Sequence, residues 1–200
     1  MYTNNLWLYY HFSKLQNYKF VAITAVILTL ILSFTGCSKG DSNPKDSGSD
    51  ANLRKFKTTT LSGEKFTQDD LKSYDMTVVN VWSTTCGYCI EEMPALEKLK
   101  SRLPANVQFV TVCIDGAVSA DTAKDIVAQK GLTAKVLVNS DSINKSLLKY
   151  VSGTPSTFFF DKDGKLVGKP KVGTFKAKDD NEMAELYMNE VKAHLKKINK

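Results

Sequence analysis

Hydrophobic and polar positions divide this chain into three stretches. Residues 20–34 (FVAITAVILTLILSF) are uncharged and nearly all apolar, and residues 38–52 (SKGDSNPKDSGSDAN) carry no large apolar side chain. From residue 53 onward, short apolar runs alternate with amphipathic segments. Residues 53–60 and 64–67, on either side of Leu61-Ser62-Gly63, predict a hairpin, and 68–74 a turn of helix. A buried strand follows at 77–82 (TVVNVW), and Met93, Leu96, Leu99 and Leu103 share one face of a helix expected over 89–102. Strand 107–114, helix 121–130 stopped at Gly131, strand 134–138 and a short helix at 143–150 come next. Residues 156–160 and 165–167 around Asp161-Lys162-Asp163-Gly164 predict a second hairpin. The closing helix, 182–198, has Met183, Leu186, Val191 and Leu195 on one stripe. The order β-β-α-β-α-β-β-α, with additions, predicts an α/β three-layer sandwich: a mixed β-sheet flanked by helices, with an N-terminal β-hairpin extension.

Composition narrows the classes. A hydrophobic fraction of 42 % and a charged fraction of 24 % fit a packed soluble domain and exclude collagen-like, disulfide-scaffold and wholly disordered chains. The net charge is +6, from 27 basic and 21 acidic residues. Without residues 1–36 it falls to +4, and no stretch clusters five Lys or Arg, so nucleic acid is not an expected partner.

The apolar run at 20–34 would extend about 22 Å as a helix, short of the roughly 30 Å hydrocarbon core of a bilayer. With Lys14 and Lys19 before it, the run fits the apolar region of a secretory signal. Phe34-Thr35-Gly36-Cys37 then resembles a bacterial lipobox, which implies cleavage before Cys37 and lipidation of that cysteine; an uncleaved signal anchor is the alternative. The 19 residues ahead of the run are long for a signal and hold an aromatic cluster (LWLYYHF), so initiation is expected nearer Leu15. These features divide the chain into a signal peptide at 1–36, a lipidated flexible tether at 37–52, and one domain at 53–200. The expected location is the extracytoplasmic face of a bacterial membrane, held by a lipid anchor.

Cys86-Gly87-Tyr88-Cys89 falls where the strand TVVNVW ends and a helix begins. Two cysteines three apart over a first helical turn can close a disulfide with little backbone movement. The helix N-terminus offers free N–H groups and the positive end of the dipole to Cys86, favouring its thiolate. Cys89, one turn in, is shielded and suits a resolving thiol.

Residues 78–99 (VVNVWSTTCGYCIEEMPALEKL) resemble thioredoxin-fold proteins of the extracytoplasmic TlpA/ResA group, redoxin-type thiol-disulfide oxidoreductases of which several serve cytochrome c maturation. Trp82, Cys86, Cys89, Glu92 and Pro94 carry the match. Ser152-Gly153-Thr154-Pro155-Ser156-Thr157-Phe158 extends it, resembling the segment whose cis-proline faces the disulfide. The resemblance implies a thioredoxin-like fold, Cys86 as nucleophile, Cys89 as resolving cysteine, and a disulfide between them. It implies a cis Pro155, with Thr154 offering backbone groups to an extended substrate. It also gives Glu92 a proton-handling role beside the pair, while Asn80 stands where thioredoxin carries a buried Asp. Trp82 is counted with the substrate side, though such a residue more often packs beside the site than reacts. The implied partners are disulfide-containing exported proteins such as apocytochrome c, and a transmembrane thiol electron donor of the DsbD/CcdA kind. No cofactor is expected.

Tyr88 stands where these families commonly have proline, and residues between the sulfurs tune the potential, so residue chemistry leaves reductant or oxidant open while the resemblance favours reductant. Cys113 reads as a small buried apolar group; the competing idea, pairing with Cys86, needs Cα atoms within about 7 Å. A zinc site is disfavoured, because structural zinc takes four ligands and only one CxxC pair is present. Two other uses stay open: a binding lipoprotein whose disulfide is structural, and a thiol peroxidase-like antioxidant protein.

Overall fold

Valine- and phenylalanine-rich runs become the strands, and the amphipathic stretches become the helices laid on them. The computed structural model describes residues 50–199, all within the second of two compact units, Pro44–Lys200. The expected signal segment, Cys37 and nearly all of the expected tether lie outside the described residues.

Strands β1 (Lys57–Thr59) and β2 (Lys65–Thr67) pair antiparallel around the turn at Gly63, with Thr58 opposite Phe66. A 3₁₀ turn at Gln68–Leu71 is closed by a capping box between Thr67 and Asp70. Strand β3 (Met76–Trp82) is buried along its whole length, as a central strand covered on both faces must be. Helix α1 (Gly87–Arg102), strand β4 (Val107–Cys113), helix α2 (Ala120–Lys130) and strand β5 (Lys135–Val138) follow. Next come the short helix α3 (Asp141–Ser146), a 3₁₀ turn at Leu148–Tyr150, strands β6 (Ser156–Asp161) and β7 (Lys171–Val172), and helix α4 (Asp180–Ile198).

The main sheet is mixed and five-stranded, in the order β5-β4-β3-β6-β7. β3, β4 and β5 run parallel, while β6 lies antiparallel to β3 and β7 antiparallel to β6. One face packs Val78, Trp82, Phe109 and Phe159 against Met93, Leu96 and Leu99 of α1, Ala123 of α2, and Ala184, Tyr187 and Val191 of α4. The other packs Val79, Val81, Val112, Phe158 and Phe160 against Leu53, Phe56, Phe66, Leu71, Ile143 and Leu147. Each fully buried side chain of this size contributes about 1.5–3 kcal/mol. The expected thioredoxin-like three-layer sandwich is present, and the N-terminal hairpin is itself part of one outer layer.

The second hairpin is present as expected: around the Asp161–Gly164 turn, the Asp161 N–H donates to the Lys165 carbonyl at 3.0 Å and the Val167 N–H to the Phe159 carbonyl at 2.8 Å, with Phe160 bridged to Leu166. The chain then turns at Gly168, at φ 71°, and Lys171–Val172 pairs further along β6. Two local expectations are corrected. The buried stripe of α4 runs through Ala184, Tyr187, Met188, Val191 and His194, rotated from the expected Met183, Leu186 and Leu195, which are only partly buried. Helix α1 begins at Gly87, two residues early, because the Cys86 sulfur caps it.

The N-terminal end of the domain is pinned at the pole of the sheet opposite the end of β3. Leu53 N–H donates to the Gly164 carbonyl at 2.7 Å. Gly164 has φ 74°, and a Cβ there would stand 2.4 Å from the Leu53 carbonyl carbon, so only glycine permits this crossing.

Candidate active site

The site is assembled where β3 and β4 end. After Trp82 the chain turns through Ser83-Thr84-Thr85, and Asp115, just past β4, clamps that turn by accepting from the Thr84 N–H at 3.1 Å and from the Thr84 hydroxyl. The clamp delivers Cys86 to the N-terminus of α1, where its sulfur accepts from the Cys89 N–H at 3.3 Å. Cysteine thus does the work usually given to Ser or Asp, meeting a helix-end donor with a sulfur that gains stability as an anion.

Cys86 and Cys89 form a disulfide, with Cα atoms 5.3 Å apart. The two ends of the bond differ: Cys86 is half-buried, whereas Cys89 lies among α1, β3 and α4 side chains with 1 % of its surface exposed. An incoming sulfur can therefore reach only Cys86. Tyr88, between them, is 69 % exposed.

The Thr154–Pro155 peptide is cis. Val81 of β3 is registered with Ser156 of β6, which brings Pro155 level with the end of β3, at the pole that carries the disulfide. Two bonds fix the loop: the Ser156 hydroxyl donates to the Gly153 carbonyl at 2.6 Å, and the Gly173 N–H donates to the Pro155 carbonyl at 2.8 Å. Thr154 is partly exposed and Pro155 buried, leaving Thr154 as the loop's accessible member.

Glu92 lies one helical turn beyond Cys89, on the same inward face of α1, and is 1 % exposed. Its carboxylate accepts from the Asn80 amide at 2.9 Å and from the Tyr187 hydroxyl at 2.8 Å. Asn80 also donates to the Thr157 hydroxyl at 3.2 Å, which fixes its orientation. Burial pushes the Glu92 carboxyl above the usual carboxylate range, and the hydrogen bonds from Tyr187 and Asn80, with polar Thr174 and the charge of Lys171 nearby, hold back part of that rise. Burial, together with the Glu92 charge, pushes the Tyr187 phenol up, so it stays a donor. A buried carboxyl raised in this way holds its proton more readily than an exposed one, which suits it to accept a proton from a neighbouring thiol.

Trp82, grouped with Thr154 and Pro155 as substrate-binding, is corrected: it has 0 % exposure and spends its indole N–H on the Thr111 hydroxyl at 3.2 Å, so it packs beneath the site and cannot touch a client in this state. Cys113 is buried and free, as expected; its thiol donates to Asp115 at 3.2 Å, and burial with that contact pushes it up to about 12. Asn80, noted for its position in place of a buried Asp, proves to be a direct partner of Glu92, and Thr157 of the matched 152–158 segment orients it; Lys171, Thr174 and Tyr187 were not singled out in the sequence. For Tyr187 a signal existed: a tyrosine on the buried stripe of α4 needs a partner for its hydroxyl.

A CxxC disulfide at a helix N-terminus, with a cis-proline at the same pole of a β5-β4-β3-β6-β7 sheet and a buried carboxyl one helical turn beyond, defines a thiol-disulfide oxidoreductase of the thioredoxin-like class. The chain belongs to the redoxin family, whose model matches residues 38–186. Among curated proteins it is similar to the thioredoxin-like protein YneN of Bacillus subtilis (strain 168), 30 % identical over 132 residues, or 66 % of this chain and 75 % of that protein. It is also similar to the thiol-disulfide oxidoreductase ResA of Bacillus thuringiensis (strain Al Hakam), 32 % identical over 113 residues, or 56 % of this chain and 63 % of that protein. Among solved structures, a secreted Mycobacterium tuberculosis disulfide oxidoreductase homologous to E. coli DsbE superposes with a TM-score of 0.54 at 22 % identity, covering 68 % of this chain and 97 % of that one. A thiol:disulfide interchange protein of Chlorobium tepidum TLS gives 0.57 at 20 % identity, covering 74 % and 97 %. These structures share the fold, and the expected kinship with the TlpA/ResA group is borne out.

Proposed function

We propose that this oxidoreductase works as a reductant of disulfides in exported proteins, apocytochrome c among the candidate clients, while tethered by a lipid on Cys37 to the extracytoplasmic face of a bacterial membrane. The observation that carries the exchange step is the asymmetry of the pair: Cys86 half-exposed at a helix N-terminus, Cys89 buried one turn from Glu92. In the reduced protein, the Cys86 thiolate attacks one sulfur of a client disulfide. A mixed disulfide forms, and the other client sulfur leaves as a thiolate that takes a proton from water. The client strand lies against Thr154-Pro155. Cys89 then gives its proton to Glu92 and attacks the Cys86 sulfur, expelling the second client sulfur as a thiolate that takes a proton from water. Two electrons pass to the client, and the protein is left as the Cys86–Cys89 disulfide observed here. A transmembrane thiol donor of the DsbD/CcdA kind would return the electrons.

The tethered reading is supported by the apolar run and lipobox-like Phe34-Thr35-Gly36-Cys37. It is further supported by the pinning of Leu53 at the pole away from the disulfide, an arrangement that leaves Cys86 turned from the point where the chain enters the domain. Trapping tests the exchange scheme. In Cys89→Ser the mixed disulfide cannot resolve, so covalent client adducts through Cys86 are expected on non-reducing gels. Absence of adducts, with unchanged binding of a partner by Cys86→Ser, would favour a binding lipoprotein; rapid peroxide turnover would favour the antioxidant reading. Metabolic labelling with a fatty acid, lost in Cys37→Ala, tests the anchor.

A further inference from the structure

Lys171 does not extend into solvent as an edge-strand lysine usually does. Its Nζ turns back and donates to three successive carbonyls of its own loop, Val172 at 2.9 Å, Gly173 at 2.7 Å and Thr174 at 3.2 Å, and sits 4.4 Å from the centre of the Phe175 ring. Two chains of contact tie this loop to Glu92. Lys171 is registered with Thr157, which shares the Asn80 amide with Glu92. Phe175 packs edge-on against Tyr187, at 4.8 Å between ring centres, and the Tyr187 hydroxyl donates to Glu92. Four elements thus meet at one carboxyl, and the ammonium of Lys171 organises the loop that closes it.

We infer that Lys171 is a positioning residue for Glu92: by coiling onto the 172–174 carbonyls it holds Thr174 and Phe175 in place and keeps a positive charge beside the buried carboxyl, so that Glu92 releases its proton more readily than it would in an uncharged surrounding. The inference rests on the reading of Glu92 as proton acceptor for Cys89. The groups facing Glu92 support the assignment. From α1 comes Cys89, titratable once reduced; β3 and β6 supply only neutral Asn80 and Thr157. The β7 loop supplies Lys171 and Thr174, and α4 supplies Tyr187, which stays protonated. Among these Lys171 is the cation. Burial pushes its own ammonium down, while the charges of Glu92 and of Glu190 on α4 draw it back, so the coupling is mutual.

The test uses the full-length protein labelled with δ-¹³C glutamate, the Glu92 signal being assigned by its loss in Glu92→Gln. In Lys171→Met, which keeps the apolar stem, the Glu92 titration midpoint is expected to rise by about one pH unit. Lys171→Gln, which retains a donor for the carbonyls, should raise it too, and Lys171→Arg should leave it within a few tenths. The acid limb of the disulfide-exchange pH profile should move in parallel for Met and Gln. Overlapping midpoints in folded Lys171→Met and wild type would overturn the inference, as would equal shifts in Lys171→Arg and Lys171→Met, which would mark packing and not charge. The two readings separate cleanly. A shifted midpoint with an unshifted exchange profile upholds the lysine's role and sinks Glu92 as acceptor; slow exchange in Glu92→Gln with an unshifted midpoint does the reverse.

Discussion

Two sulfurs stand at neighbouring strand ends in this molecule, each with a carboxyl near it, and only one side is built for chemistry. Cys113 closes β4, in register with Trp82, and gives its thiol proton to a hydrogen bond with Asp115. Burial would raise the Asp115 carboxyl, but bonds from Thr84 and Cys113 outweigh it and hold Asp115 below the ordinary range. That carboxylate stays charged, and burial, with the hydrogen bond and charge of Asp115, keeps Cys113 protonated. On the other side, Cys86 meets a helix N-terminus, and Glu92 beyond Cys89 is raised by burial. A carboxyl that can accept a proton sits near the resolving sulfur, whereas a carboxyl that cannot sits near the inert one. Proximity of acid and thiol is therefore not enough: the direction of the carboxyl's shift decides whether the pair can pass a proton.

The sharpest way to break this contrast is to remove the exposed sulfur. Cys86→Ser is expected to abolish disulfide exchange, by about a thousandfold or more, in an insulin-reduction assay, because no other described sulfur is both accessible and activated. Glu92→Gln keeps the shape of the pocket but removes its proton-accepting capacity, and should slow resolution of the mixed disulfide by roughly a hundredfold near neutral pH in single-turnover kinetics. The same variant carries a stability signature. A raised carboxyl contributes stability that is fully present below the ordinary carboxylate range and is lost as pH rises through its folded value. Denaturation midpoints should therefore show Glu92→Gln gaining on wild type from pH 4 to pH 8; a constant difference would contradict the raised carboxyl. Tyr187→Phe withdraws one donor from Glu92 and should cost about 1 kcal/mol in urea unfolding. Cys113→Ala, last and smallest, should leave exchange within about twofold of wild type, since its sulfur neither reaches a client nor forms a low-lying thiolate.

Much of this was legible in the chain itself. The run TVVNVW, the CxxC after it and the Thr-Pro before STFFF fix a strand, a helix start and a loop whose chemistry is local, and the strand register then brings them to one pole. Glu92 was legible by its spacing from Cys89. Asn80 was named for its position but not as a partner, and Lys171, Thr174 and Tyr187 not at all, because these residues and Thr157 come from four other elements and meet only through strand order and the rotation of α4. The α4 stripe was misplaced because Tyr187 and His194 count as polar in a hydropathy pattern yet bury their rings, Tyr187 against Phe175 and His194 stacked at 3.9 Å on Phe159. The short strand at Lys171–Val172, beyond the second hairpin, was not foreseen because Gly168 and Pro170 interrupt pairing before Lys171 restores it.

Stepwise equilibration with dithiothreitol, followed by alkylation of the native protein and mass mapping of the thiols, shows whether Cys86 and Cys89 trade electrons while the fold stays intact. A reversible two-electron transition is expected in which Cys86 and Cys89 open together, Cys86 labels first, and Cys113 stays unlabelled until denaturant is added. A pair that stays closed until the fold is lost, or a Cys113 that labels before Cys86, would contradict it.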